Sequence, residues 1–252
     1  MKKVTYALVL LMLTVGMVAQ ESKVKQKFIE ETVVEAPVFI GLIDSDKTSQ
    51  QAFTQHLQNE LAYLADYDFL SDEGIVAVDF TVEKDGSVSN PVVSNSVSKM
   101  LDEAVLQIIT ESDNMWQAGK INGEAASMEK TVFVKFDIEG NESHNELAAQ
   151  YLSNAIRQLY VINTIEARYL TADKKMKKCQ RKANTAERYL AKAEQYRPHD
   201  LSITFWQART YEVQGKEELK QQKLDKYLEL ARHDNLEKSL NDDVLLAIIT
   251  LN

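Results

Sequence analysis

The sequence is poor in the residues that build most catalytic and metal centres. It has one cysteine, Cys179, in 252 residues. That excludes an intramolecular disulfide and any cysteine-based metal site, and in an oxidising compartment it points to a buried spectator thiol. Three prolines and eight glycines exclude collagen-like and low-complexity chains. The four histidines, His56, His144, His199 and His233, stand far apart, none in an HExxH or HxH spacing that would hold zinc. There is no GxSxG, no P-loop and no GxGxxG behind a strand. These absences argue for a protein that is not an enzyme, with no catalytic residues, no metal and no cofactor.

Positive charge is also scarce in one half. The net charge is -9, and the first 140 residues carry 11 Lys/Arg against 22 Asp/Glu. An acidic front half repels phosphate and excludes nucleic acid as a partner. With 44% hydrophobic residues the chain can still bury one or two ordinary cores.

What is present is clearest between Gly74 and Ile138. Val76, Val78, Phe80 and Val82 fall on alternate positions, the period of a half-buried strand. Lys84-Asp85-Gly86 supplies a hairpin turn, and a second strand runs through Val88 to Ser94. Leu101, Ala104, Val105, Ile108 and Ile109 share one helix face, with Ser98 placed as its N-cap. Thr131 to Ile138 alternates again, with Val132, Val134, Phe136 and Ile138 facing inward. Thr48 to Leu64 reads as a covering helix with Phe53, Leu57, Leu61 and Leu64 on one stripe, His56 off it, and Trp116 plugging the core edge.

These pieces predict an antiparallel sheet in the order second, first, third. Pro91 discourages pairing on one outer strand. The third strand lacks such protection, so its outer edge invites an extended partner. Thr131, Val132, Phe133, Val134, Lys135, Phe136 and Asp137 are the expected partner-binding strand. Thr131, Phe133, Lys135 and Asp137 point outward to set specificity.

After Gly140 only Pro198 and Gly215 interrupt the chain, and the region reads as helical. Leu147, Tyr151, Ala155, Leu159 and Ile162 mark a long first helix. Ala186, Leu190, Ala193, Pro198, Ala208, Tyr211 and Gly215 resemble one and a half tetratricopeptide repeats. Lys174, Lys175, Lys177, Lys178, Arg181 and Lys182 form the one dense basic run. It is either a solvated helix face or a docking face for an acidic partner.

The stretch from about Glu35 to Ile138 resembles the C-terminal domain of the TonB energy-transducing proteins. The residues that carry the resemblance are Pro37-Val38-Phe39-Ile40-Gly41, the alternating strand from Gly74, Asp85-Gly86, Leu101-Asp102 with Ala104, Met115 to Lys120 with Asn122-Gly123, and Val134 with Phe136. Departures from the family pattern are Gly41-Leu42 for a double glycine, Tyr67-Asp68 for Tyr-Pro, and Trp116-Gln117-Ala118-Gly119 for Trp-x-Pro-Gly. The resemblance implies an α+β fold, a three-stranded antiparallel sheet with two helices, followed here by an all-α helical-hairpin domain. It also implies strand addition by an outer-membrane receptor segment at the last strand.

Met1-Lys2-Lys3 and the apolar run Val4 to Ala19 read as a secretory signal, shorter than the about 20 residues of a membrane helix. The expected organisation is residues 1–20 signal peptide, 21–35 short linker, 36–140 TonB-C-terminal-like domain and 141–252 helical domain. The expected location is periplasmic, with an inner-membrane anchor as the alternative if the segment is uncleaved. The expected function is binding an extended peptide of an outer-membrane transporter or other envelope protein. A helical-repeat scaffold whose sheet domain dimerises, and an anchored energy transducer, are the alternatives. N-terminal sequencing of the protein recovered from an envelope fraction should find a start near Gln20. A start at Met1 selects the anchored reading.

Overall fold

A computed structural model describes residues 33–41, 48–66, 72–237 and 245–251. The expected signal segment lies outside these residues. The chain divides into two units, Met1–Val34 and Glu35–Asn252, and every element below belongs to the second. The expected boundary between residues 140 and 141 falls at a turn inside that unit.

Elements follow in the order β1 Val38–Phe39, α1 Ser49–Leu61, a 3₁₀ turn Ala62–Asp66, β2 Gly74–Val82, β3 Val88–Asn95 and α2 Lys99–Glu111. Next come β4 Trp116–Gln117, β5 Gly119–Ile121, β6 Glu124–Ala126, β7 Met128–Ile138, α3 His144–Glu166, α4 Ala172–Tyr196, α5 Leu201–Gln214, α6 Glu217–Glu237 and β8 Leu245–Leu251. The main sheet has the order β3-β2-β7-β8. β2 pairs antiparallel with β3 and β7, and β8 runs parallel to β7. The fold is α+β, as expected; the main sheet has four strands where three were expected, and the added strand is parallel where an all-antiparallel sheet was expected.

Local chemistry accounts for the boundaries. Thr48 and Gln51 close a capping box at the start of α1, satisfying two amide donors that a helix start leaves free. Ser98 occupies the N-cap of α2, but its hydroxyl makes no cap bond. The Asp102 carboxylate takes over, accepting from the Val97 amide at 3.0 Å and the Ser96 hydroxyl at 2.5 Å. Ser143 and Glu146 form a second capping box at α3. Gly215, at φ 71°, ends α5 in the left-handed conformation.

The sheet's inner face and helices α1 and α2 enclose the first core. Val76, Val78, Phe80, Val82, Val132, Val134 and Phe136 are all within 2% of complete burial. Phe39, Phe53 and Phe80 converge on Trp116, with ring centroids 5.0 to 5.4 Å from the indole. The indole N–H donates to Ser112 Oγ at 3.0 Å, whose hydroxyl donates onward to the Ile109 carbonyl at 2.7 Å. His56 is a correction to the expected solvated residue: it is buried, its ring stacked on Phe39 at 5.6 Å. A helix stripe on a curved sheet is wider than the strict spacing of its largest side chains.

Between α3, α4 and α5 lies a second core. Ala155, Leu159 and Ile162 meet Ala183, Ala186, Leu190, Ala193 and Ile203, the small residues letting helix axes approach closely. Cys179 is half-buried and packs against this core, and burial pushes its thiol up. Gln195 at the end of α4 donates to the Glu73 carbonyl at 2.9 Å, joining the helices to the residue preceding β2. Ala77, which lies between the inward positions Val76 and Val78 on β2 and so faces the other side of the sheet, is fully buried as well.

The hairpin turn makes a testable demand. Gly86 adopts φ 89°, and a Cβ there would collide with the Trp116 carbonyl oxygen, whereas Gly123, at φ 86°, has open space beside it. Gly86→Ala should lose about 1–3 kcal/mol in urea denaturation, and Gly123→Ala clearly less, because only the first adds a collision to the strained backbone.

Candidate interaction surface

Strand β7 was expected to present a free edge from Thr131 to Asp137. It does not. β8 lies along that flank in an unbroken parallel register from Val132 opposite Leu245 to Ile138 opposite Leu251. Ala247, Ile249 and Leu251 turn into the first core, while Ile248 faces outward at 48% exposure. Burying side chains the size of Ile249 and Leu251 is worth about 1.5–3 kcal/mol each, so the tail is held by packing as well as by ladder bonds. A parallel neighbour requires a crossover, and the four helices between β7 and β8 are that crossover.

The sequence signal for β8 was present but of the wrong kind. Leu245-Leu246-Ala247-Ile248-Ile249-Thr250-Leu251 is a continuous apolar run without alternation, as parallel strands often are. In a region otherwise helical it reads as one more buried helix.

The outward side chains of β7 are not free either. Thr131 Oγ1 donates to Asp79 Oδ1 at 2.6 Å on the neighbouring strand. Phe133 meets the His199 ring edge-on at 5.3 Å. Lys135 Nζ pairs with Asp137 Oδ2 at 2.6 Å. The turn between α4 and α5, including Pro198 and His199, lies over this face and forms a shallow cleft with Ile75, Phe133 and Lys135. Outward alternation along one strand cannot reveal a second layer supplied by a turn far along the chain, such as His199 against Phe133.

The basic run lies on α4 and is divided by its contacts. Lys175 Nζ donates to the Glu166 carbonyl at 2.6 Å and Lys182 Nζ to Gln158 Oε1 at 2.9 Å, both on α3. Lys177 pairs with Asp173 one turn earlier at 3.2 Å. Lys174, Lys177, Lys178 and Arg181 are exposed.

Sequence spacing gave no metal cluster, because it tests only neighbours along the chain. The fold brings together Glu73 before β2, Asp137 near the end of β7 and His144 at the start of α3, with one ligand atom of each within 4.8 Å of the others. Burial, with Lys135 nearby, holds His144 below the ordinary imidazole range against the pull of Asp137 and Glu73. Tyr196, buried beside Glu73, is pushed up to about 12.

His199, at φ 63°, is lowered by burial first and by Lys226 second, against Asp79, Glu229 and Glu194. A histidine whose folded value lies below its unfolded value takes up protons on unfolding. Its contribution is intact above about pH 6.5 and is lost as pH falls toward the folded value. His199→Asn, which tolerates the left-handed backbone, should flatten the decline of the thermal midpoint between about pH 6.5 and 5. An unchanged slope would show that His199 does not contribute.

Among the described residues no helix is long and apolar enough to cross a membrane. Residues 69–138 match the family model for the Gram-negative bacterial TonB protein C-terminal region. No curated protein matches the chain. Among solved structures, the solution structure of the Helicobacter pylori TonB C-terminal domain aligns at 20% identity over 36% of this chain and 84% of that one, with a TM-score of 0.24. The match from residue 69 to 138 takes in β2, β3, α2 and β7, and over this segment the chain is similar to the TonB C-terminal family.

Proposed function

We propose that this chain is a periplasmic interaction protein of the Gram-negative envelope that takes up an extended segment of an outer-membrane transporter or related envelope protein along the β7 flank. The family match supports TonB-like interaction in the envelope. One observation carries the finer reading: the flank already accepts a parallel seven-residue strand, and that strand is the chain's own tail. β8 therefore acts as an internal occupant that a partner strand must displace. Backbone pairing supplies affinity, and the pockets filled by Ala247, Ile249 and Leu251 select apolar side chains at alternate positions. Tethering gives β8 a high effective concentration, so a free peptide competes poorly unless something loosens the tail.

The test uses a fluorescent peptide of residues 244–252 as probe. A chain ending at Asp243 should bind it at least tenfold more tightly than the full chain does, a difference of about 1.4 kcal/mol. Peptides from the periplasmic ends of outer-membrane transporters should compete for the same flank. If the shortened chain is folded by circular dichroism and binds neither peptide, the reading is wrong. Should shortening unfold the protein, Ile249→Pro in the full chain decides instead, because the backbone of Ile249 faces β7 on the same side as the Leu251 carbonyl that accepts from Glu139, whereas the Ile248 carbonyl faces α1. It should raise probe uptake, since proline removes a ladder donor, and unchanged uptake would refute displacement.

A further inference from the structure

His144 is an unusual residue to bury. It is 5% exposed, and neither ring nitrogen makes a hydrogen bond of good geometry, the Phe136 backbone offering only a weak contact. Native proteins seldom leave such groups without a partner. Its Nε2 lies 3.5 Å from Asp137 Oδ1, and the Glu73 carboxylate completes a group whose ligand atoms are mutually within 4.8 Å. Ligand bonds of about 2.0–2.2 Å in a tetrahedral arrangement separate ligand atoms by about 3.4 Å. The His144 to Asp137 spacing, 3.5 Å, is already of that size, and a Glu73 carboxylate oxygen lies within 4.8 Å of both.

The surroundings orient these groups. Asn141 Nδ2 donates to Glu73 Oε2 at 2.9 Å, and the Tyr196 hydroxyl reaches Oε1 at 3.5 Å. Lys135 holds Asp137 Oδ2 at 2.6 Å, leaving Oδ1 turned toward the imidazole. The Tyr196 ring meets His144 edge-on at 5.2 Å. Outer partners of this kind are what fix ligand orientation in metal sites.

We propose that Glu73, Asp137 and His144 form a binding site for one divalent transition-metal ion. One imidazole and two carboxylates suit Zn²⁺ or Mn²⁺ better than Ca²⁺ or Mg²⁺, which favour oxygen-only shells and higher coordination. The ion ties the residue before β2, the end of β7 and the start of α3 across the turn at Asn141. It thereby fixes the helical layer on the sheet. This site does not depend on strand exchange at β7.

The full chain, stripped with chelator and desalted, is titrated with Zn²⁺ by calorimetry and with Co²⁺ by visible absorption. One equivalent should bind, the Co²⁺ spectrum should show low-coordinate nitrogen and oxygen ligation, and the thermal midpoint should rise. Asp137→Asn and His144→Phe, the latter keeping a ring against Tyr196, should each weaken Zn²⁺ at least tenfold. The other buried histidine is the control, and His56→Asn should bind as the unaltered chain does. Absence of saturable binding overturns the proposal. So does Zn²⁺ binding that survives both Asp137→Asn and His144→Phe. If His144→Phe does not fold, Asp137→Asn, at a side chain one-third exposed, decides alone.

Discussion

Everything in this fold depends on strand β7 being paired along both flanks. One side meets β2 from Gly74 opposite Phe136 to Val82 opposite Met128, and the other meets β8 from Val132 to Ile138. Backbone donors and acceptors in the middle of a sheet have no water to turn to, so each must find a partner in the protein. With β8 in place, Val132, Val134 and Phe136 are sealed in a core that α1 and α2 close from one side. Gln58 on α1 extends a side-chain bond to the Ile248 carbonyl at 3.3 Å, so the same helix that covers the core also holds the outermost strand.

That pairing changes what an edge strand means here. An unpaired edge is a hazard for aggregation as well as an opportunity for recognition. The chain meets the hazard by covering its most bondable flank with its own residues. Pro91 and the register shifts around Asp79 and Thr81 make the opposite flank, on β3, a poor template. Under the proposed displacement, a partner strand at β7 must pair better than the one already there.

The helices are more than a connection between β7 and β8. Glu73, whose carbonyl accepts from Gln195 and whose carboxylate receives Asn141, is a joint between the layers. Its burial is tolerable only because these donors surround it. Phe133 against His199 forms a second joint. Both place helix-layer groups over the sheet face that β7's outward residues would otherwise expose to water.

How much of this could be read from residues alone divides along a physical line. Strand and helix periods depend on neighbours within a few positions, so β2, β3, α1, α2, β7 and the sheet order β3-β2-β7 were all legible. The Gly86 turn was legible for the same reason. The expected partner-binding strand was located correctly as a strand and incorrectly as an edge, because openness is a property of what lies beside it. His56 was misplaced since its burial is set by Phe39, which lies on a different element. Local pattern determined which segments became strands and helices, which faces were apolar, and that the front half is acidic. Only the tertiary structure decided that residues 245–251 return to cover β7, and that Glu73, Asp137 and His144 meet. Those outcomes join positions up to 113 apart along the chain through the path of the helices, and no local period encodes that path.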